Sequence, residues 1–268
     1  MLKMNDPHVD ALHYSISHTD AVDYGNAEPR EYDGNPAFVV RIKNGHVKIT
    51  MKEHFTTVED ARKCVDPFLK AWELSEALDH PQHEFKFIYQ RHELIDRNPS
   101  PGVISVEAGQ LSLQGSNVRV IERRRTYPDP PDGLGWCWVV DLLFNRYRAL
   151  AAKRTTLNDA AYFCLTMLEA IPGPSRIREE RSPSLRRKNA ALHFCVDADV
   201  LMKVGELSTT KGGPDARKAE GTSEDFTEKE RVWLESALKA LIRRAAQKAY
   251  SPAGWQKITM DDLPSLEV

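Results

Sequence analysis

Apolar side chains fall at every second position in ALHYSISH, where Leu12, Tyr14 and Ile16 share one face. That is the spacing of a half-buried strand. In PAFVVRIKNGHVKITMK two such runs flank Asn44-Gly45, a dipeptide that tolerates positive φ and predicts a tight type I′ hairpin turn. The period then changes. Val58, Ala61, Val65, Phe68, Leu69, Trp72 and Leu78 make a broad helical stripe behind Thr57 and Asp60, a capping arrangement. Pro67 inside the stripe predicts a kink or a break. Alternation returns in EFKFIYQ, VISVEAG, LSLQG and NVRVIERRRTY. Together these predict an α+β fold that begins with a mostly antiparallel sheet packed on one long helix.

TYPDPPDGLG, with three prolines and two glycines in ten residues, stops regular structure and reads as a linker. The division it implies is an α+β domain over 1–128, a linker over 129–135 and an all-α domain over 136–268. VVDLLFNRYRALAAK and TLNDAAYFCLTMLEAI read as amphipathic helices, the second started by Thr156 or Asn158 and stopped by Pro172, Gly173 and Pro174. Thr227 and Glu230 form a T-x-x-E capping box before a last long helix. Leu234, Leu238, Leu241, Ile242 and Ala245 line one face of that helix, and Lys239, Arg243 and Lys248 lie off it.

Between these helices, NAALHFCVDADVLMKVGEL has the spacing of a helix-turn-helix-like hairpin. Ala190, Ala191, Phe194, Val196, Leu201 and Val204 stand where small or apolar side chains lock two crossing helices. Cys195 takes the place of the usual turn glycine, and it tolerates positive φ poorly. Asp197 or Asp199 is available to cap the second helix. Its outward positions, Asp197, Ala198, Asp199, Met202, Lys203 and Glu206, carry three acids against one base. DNA affinity depends on neutralising phosphates, so the hairpin reads as a packing unit before it reads as a recognition element.

Composition narrows the partner classes. Of the 268 residues 41% are hydrophobic and 28% charged, and the net charge is -2, so any polyanion binding must come from a local patch. No apolar run approaches the ~20 residues of a membrane span, and MLKMNDPHVD lacks the apolar core of a signal peptide; a cytoplasmic protein without membrane contact is the expectation. Cys64, Cys137, Cys164 and Cys195 form no C-x-x-C pair, which predicts buried free thiols rather than a zinc site or a disulfide framework. The local basic patches are Arg123, Arg124 and Arg125, and then Arg176, Arg178, Arg181, Arg186, Arg187 and Lys188. If the fold gathers them they would make a surface for anions or nucleic acid.

Enzyme signatures are sparse. Arg187 and His193 fit an R-x(4–6)-H spacing and so resemble the helical ribonuclease family known as HEPN. The resemblance covers at most residues 136–250. It implies an arginine that stabilises the scissile phosphate and a histidine that assists proton transfer. Lys188 stands where that family usually has a polar residue, and Arg41 and His46 match the same spacing inside an apparent hairpin. His80 and His83 in DHPQHEF read as a surface connection, with no third metal ligand. There is no dinucleotide, phosphate-loop, H-E-x-x-H or G-x-S-x-G motif. LSTTKGGPDARKA reads as a flexible connection and a candidate partner-contacting loop, and WQKITMDDLPSLEV as an extended terminal segment docked on its own domain or on a partner. The resulting expectation is a non-enzymatic binding or assembly protein, without cofactor or metal. Its partner would be a protein or a second copy of the chain, with nucleic acid in reach of the basic loops. The alternatives are a HEPN-like metal-independent ribonuclease and a helix-turn-helix DNA-binding regulator.

Overall fold

A computed structural model of the chain describes residues 5–18, 22–24, 27–99, 122–123, 126–171, 182–212 and 224–266. The fold is α+β, and the chain divides into two compact units, Met1–Pro131 and Asp132–Val268. The first contains strands β1 (Pro7–His18), β2 (Val22–Asp23), β3 (Arg30–Tyr32), β4 (Phe38–Lys43) and β5 (His46–Met51), helix α1 (Val58–Asp79), and strands β6 (Phe85–Asp96) and β7 (Glu122–Arg123). Five strands form one sheet in the order β3-β4-β5-β1-β6, with every neighbouring pair antiparallel. Asn44 and Gly45 both have positive φ, 51° and 73°, as a type I′ turn requires, and they pair Lys43 with His46.

One face of this sheet is closed by α1. Leu12, Phe38, Ile42 and Ile49 of the sheet and Trp72 of the helix are fully buried in a common core, each worth about 1.5–3 kcal/mol by apolar burial. Polar contacts fix the helix on the sheet. The Tyr14 hydroxyl donates to Asp66 at 2.8 Å, and the buried Glu73 carboxylate accepts the Phe87 amide at 2.7 Å. Thr57 is the N-cap, its side chain accepting from the Asp60 amide. Of the kink or break expected at Pro67, the break does not occur: α1 runs through it from Val58 to Asp79. Apolar residues on both sides of the proline, Val65, Leu69 and Trp72, are buried against the same sheet, and that packing outweighs the lost hydrogen bond.

β6 continues well past EFKFIYQ, with a register shift where His13 and Tyr14 of β1 pair with Arg91 and Tyr89. The bulge interrupts the alternation that marks the first half of the strand. VISVEAG and LSLQG lie outside the described residues, as does most of NVRVIERRRTY. From the last of these only Glu122–Arg123 is placed in a strand, pairing in parallel with Val22–Asp23.

The second unit contains α2 (Trp138–Ala151), α3 (Leu157–Ala170), α4 (Pro183–Phe194), α5 (Ala198–Thr210), α6 (Glu228–Tyr250) and a 3₁₀ turn (Met260–Asp262). Helix α3 packs against each of the other four helices. Its N-cap is Thr156, which accepts from the Asp159 amide, and Thr227 and Glu230 make a complete capping box on α6. Helices α4 and α5 are the helix-turn-helix-like hairpin. Both ends of the 129–135 stretch are tied to their own unit: Arg30 pairs with Asp129, and the Gly135 amide donates to the Ala246 carbonyl at 2.9 Å. All four cysteines are free thiols; Cys164 is buried, whereas Cys64, Cys137 and Cys195 are half-buried. Among the described residues no helix is long and apolar enough to cross a membrane.

His8 supplies a pH-sensitive element of the first unit. It is 6% exposed, its ring stacks on His54 at 5.2 Å between centroids, and its Nδ1 has no hydrogen-bond partner among the described residues. Burial, reinforced by Arg97 and His54, holds its pKa below the ordinary histidine value against the opposing pull of Asp10 and Asp6. Burial lowers His13 and His193 as well. A native state that resists protonation is fully stabilised above the unfolded histidine value of ~6.5 and loses that stability as pH falls through it. The urea midpoint of the full chain is therefore expected to fall between about pH 7.5 and about pH 5.5. His8→Leu should reduce that fall, and an identical pH dependence in the variant would contradict the assignment.

Candidate functional site

The helix-turn-helix-like hairpin is built around a strained turn. Ser182 stands at the N-cap of α4 with Pro183 in the first turn, where its missing N–H costs nothing. At the other end Cys195 adopts the left-handed conformation, φ 53° and ψ 53°. The Val196 amide donates to the Ala191 carbonyl at 3.0 Å and the Cys195 amide to Leu192 at 3.4 Å. These two bonds define a Schellman ending, in which glycine is the usual left-handed residue. A residue with a Cβ pays about 1–2 kcal/mol there.

Arg244 of α6 offsets that cost. It is buried, and the charge of Asp262 acts on it. Its guanidinium donates to three carbonyls: Phe194 at 3.0 Å, Cys195 at 2.6 Å and Gln256 at 2.6 Å. A fourth bond reaches Gln247 Oε1 at 2.9 Å. Two of the carbonyls belong to the C-terminal end of α4, where the helix dipole is negative. Burial pulls the Arg244 pKa below its ordinary value, but an arginine stays charged in a protein interior.

The third carbonyl brings the terminal segment into the site. The Ile258 amide donates to the Cys195 carbonyl at 3.1 Å, and the Ile258 carbonyl accepts from the Asp197 amide at 2.7 Å, so residue 258 bridges in parallel to Val196. The Cys195 thiol adds a bond to the Trp255 carbonyl at 3.3 Å. Asp197 occupies the N-cap of α5 but makes no side-chain cap bond; its carboxylate pairs with Lys257 at 3.1 Å. The segment thus covers the N-terminus of α5 and buries Leu263.

Arg187 faces the core side of α4. Its Nε donates to Glu169 of α3 at 3.0 Å, and Glu169 also draws Arg186 to 4.0 Å. The guanidinium passes over Gly205 of α5 so closely that a Cβ there would fall 2.6 Å from Arg187 Nη2. That glycine is what lets the arginine through. His193, six residues on, is turned by about 120° around the helix. It stands edge-on to Phe194 at 4.7 Å, and burial followed by Lys248 lowers its pKa. Arg187 and His193 thus meet different neighbours.

Of the remaining basic positions, only Arg186 and Lys188 have described side chains. Arg186 and Lys188 are exposed on α4. Arg123 lies in β7 of the first unit, with its side chain outside the description, and Arg124, Arg125, Arg176, Arg178 and Arg181 lie outside the described residues. Exposed beside Arg186 and Lys188 are Leu185 and Leu192, 38% and 83% accessible. His80 and His83 stack at the end of α1, 5.8 Å between centroids, and among the described residues no three metal-ligating side chains converge. Comparison with known proteins finds no match, whether to a family model, a curated protein or a solved structure.

Sequence reasoning missed Arg244, Glu169 and Gly205. Arg244 was the most accessible of them: three residues after Leu241 and one before Ala245, it sits on the apolar face of α6, and a charge in such a stripe signals a buried partner. Arg244→Leu is expected to destabilise the chain by about 2–4 kcal/mol, because it leaves buried carbonyls unmatched. In hydrogen exchange the Asp197 and Ile258 amides should lose protection before those of α2. Cys195→Gly should stabilise by about 1 kcal/mol through relief of the left-handed strain. Unchanged protection in the first variant, or a destabilised second one, would contradict the clamp.

Proposed function

We propose that the chain is a non-enzymatic binding or assembly protein that meets a protein partner, or a second copy of itself, through the outer face of α4. The observation that carries this reading is the pair Leu185 and Leu192. Seven residues apart, they fall on one line of the helix directly opposite buried Ala190, Ala191 and Phe194. Arg186, Lys188 and Asn189 surround them with polar groups, the arrangement of an apolar contact with a polar rim.

The groups that catalysis or base reading would need are engaged elsewhere. Arg187 is held by Glu169. The N-terminus of α5, which a recognition helix would present to a DNA groove, is bonded to the terminal segment through Asp197 and Ile258. Asp199 and Glu206 are exposed on α5 and would repel phosphates. These facts favour contact over chemistry in the second unit.

The test is affinity capture of the tagged full chain with quantitative mass spectrometry, beside light scattering of the purified protein. Wild type is expected to retain a partner or to self-associate. Leu185→Glu/Leu192→Glu should lower that recovery at least about tenfold, the scale of losing one anchor residue, without changing the circular dichroism. A chain that is monomeric and captures nothing, or captures that the double variant leaves intact, would defeat the proposal.

A further inference from the structure

The face of the five-stranded sheet turned away from α1 is polar, and its charges are ordered by register. One row runs across all five strands: Glu31 opposite Arg41, Arg41 opposite Lys48, Lys48 opposite His13, His13 opposite Arg91. At about 4.8 Å between strands that row is roughly 19 Å long. The next row sets Lys43 opposite His46, then Ser15 and Ile88, and Lys86 follows opposite Ser17. Five cations stand on these rows with Glu31, while Glu93 lies on the neighbouring row opposite Ala11 and Asp33 also acts on Arg41.

The carboxylates position the cations. Glu31 takes Arg41 Nε at 2.8 Å; Glu93 accepts Lys48 at 2.8 Å and His13 at 2.7 Å, with Arg91 at 3.8 Å. Burial pulls the Glu93 carboxyl upward, but the bonds from Lys48 and His13 outweigh it and hold its pKa below the ordinary value. Arg41 remains 60% exposed and Arg91 54%. Pairs this exposed are weakly held, so a phosphate can share their donors.

We propose that this open sheet face binds single-stranded nucleic acid along its phosphate backbone, without base readout. Charge complementarity selects a polyanion. Ile88, 37% exposed, is the apolar member of these rows, and one such side chain does not supply the buried anchors that dominate a protein interface. Ser15, Ser17, Thr50 and Gln90 lie between the cations, with Gln90 already donating to the Ser15 hydroxyl at 2.8 Å, and they offer hydrogen bonds to sugar and phosphate oxygens. A sheet is twisted, and a flexible single strand follows that twist where a duplex, stiff over roughly 150 base pairs, does not. The rows hold no phenyl, phenol or indole ring, so stacking adds nothing and affinity is set by salt. This surface lies in the first unit and is independent of α4.

Fluorescence anisotropy of the full chain with a labelled mixed-sequence single-stranded RNA tests it. Binding should weaken as salt rises, with a slope of about 0.7 per phosphate contact. Lys43→Glu/Lys48→Glu/Lys86→Glu should weaken it at least about tenfold and flatten that slope. If the triple variant fails to fold by circular dichroism, Lys43→Gln/Lys86→Gln, at the sheet surface, should still lower both. Arg186→Glu/Lys188→Glu should bind as wild type, which separates this face from α4. Absence of binding by wild type, an affinity indifferent to the sheet substitutions, or a preference for the annealed duplex, for polyglutamate or for phosphatidylserine vesicles would overturn the proposal.

Discussion

The second unit depends on one buried guanidinium. Arg244 joins the C-terminal carbonyls of α4 to the carbonyl of Gln256, so one side chain holds the end of a helix, the turn that follows it and the terminal segment. Burying a charge is ordinarily costly unless it is paired and hydrogen-bonded. Here the negative end of the α4 dipole and three aimed carbonyls replace the lost hydration. The same contacts explain how Cys195 holds a conformation that glycine would take more readily: Arg244 and the Ile258 amide both spend their hydrogen bonds on its carbonyl. Once the terminal segment lies against the turn, the N-terminus of α5 is enclosed, and the hairpin becomes part of the core.

The first unit follows a different constraint. Its sheet is closed on one face by α1 through apolar burial, and Tyr14 to Asp66 and Glu73 to the Phe87 amide set where the helix lies. Because strand side chains alternate, closing one face fixes which residues occupy the other. Arg41, Lys48 and His13 are aligned as a consequence of Val40, Ile49 and Leu12 being buried. The charged rows are the obligatory reverse side of the core pattern, and their order follows from the same type I′ turn at Asn44-Gly45 that sets the hairpin register.

Local patterns in the chain predicted the α+β class, the Asn44-Gly45 turn, the Thr57 and Thr227 caps, and the apolar faces of α1 and α6, because each is decided within a few residues. The failures have long-range causes. Pro67 marks a break only if the two half-helices are free to part, and the sheet beneath Val65, Leu69 and Trp72 prevents it. Asp197 looks like a cap from its position, but Lys257, sixty residues away, claims its carboxylate. Arg187 looks like a surface base until Glu169 and Gly205 are brought beside it. The row from Glu31 to Arg91 joins residues of five strands, and no window of sequence holds them together.

Net charge is a poor guide to this molecule for the same reason. A total of -2 suggests indifference to polyanions, yet that total averages over segregated surfaces. Acidic side chains gather at the start of α6, at Glu228 and Glu230, and near the chain end at Asp261 and Asp262, where they cap helical turns. On α5 Asp197 and Asp199 occupy the corresponding end. Glu230 and Asp262 accept backbone amides at the turn start, and all six lie at the helix end where the dipole favours negative charge. The sheet has no equivalent demand. With a screening length of about 8 Å at physiological ionic strength, an approaching phosphate responds to the cations on adjacent strands rather than to the total charge of the chain.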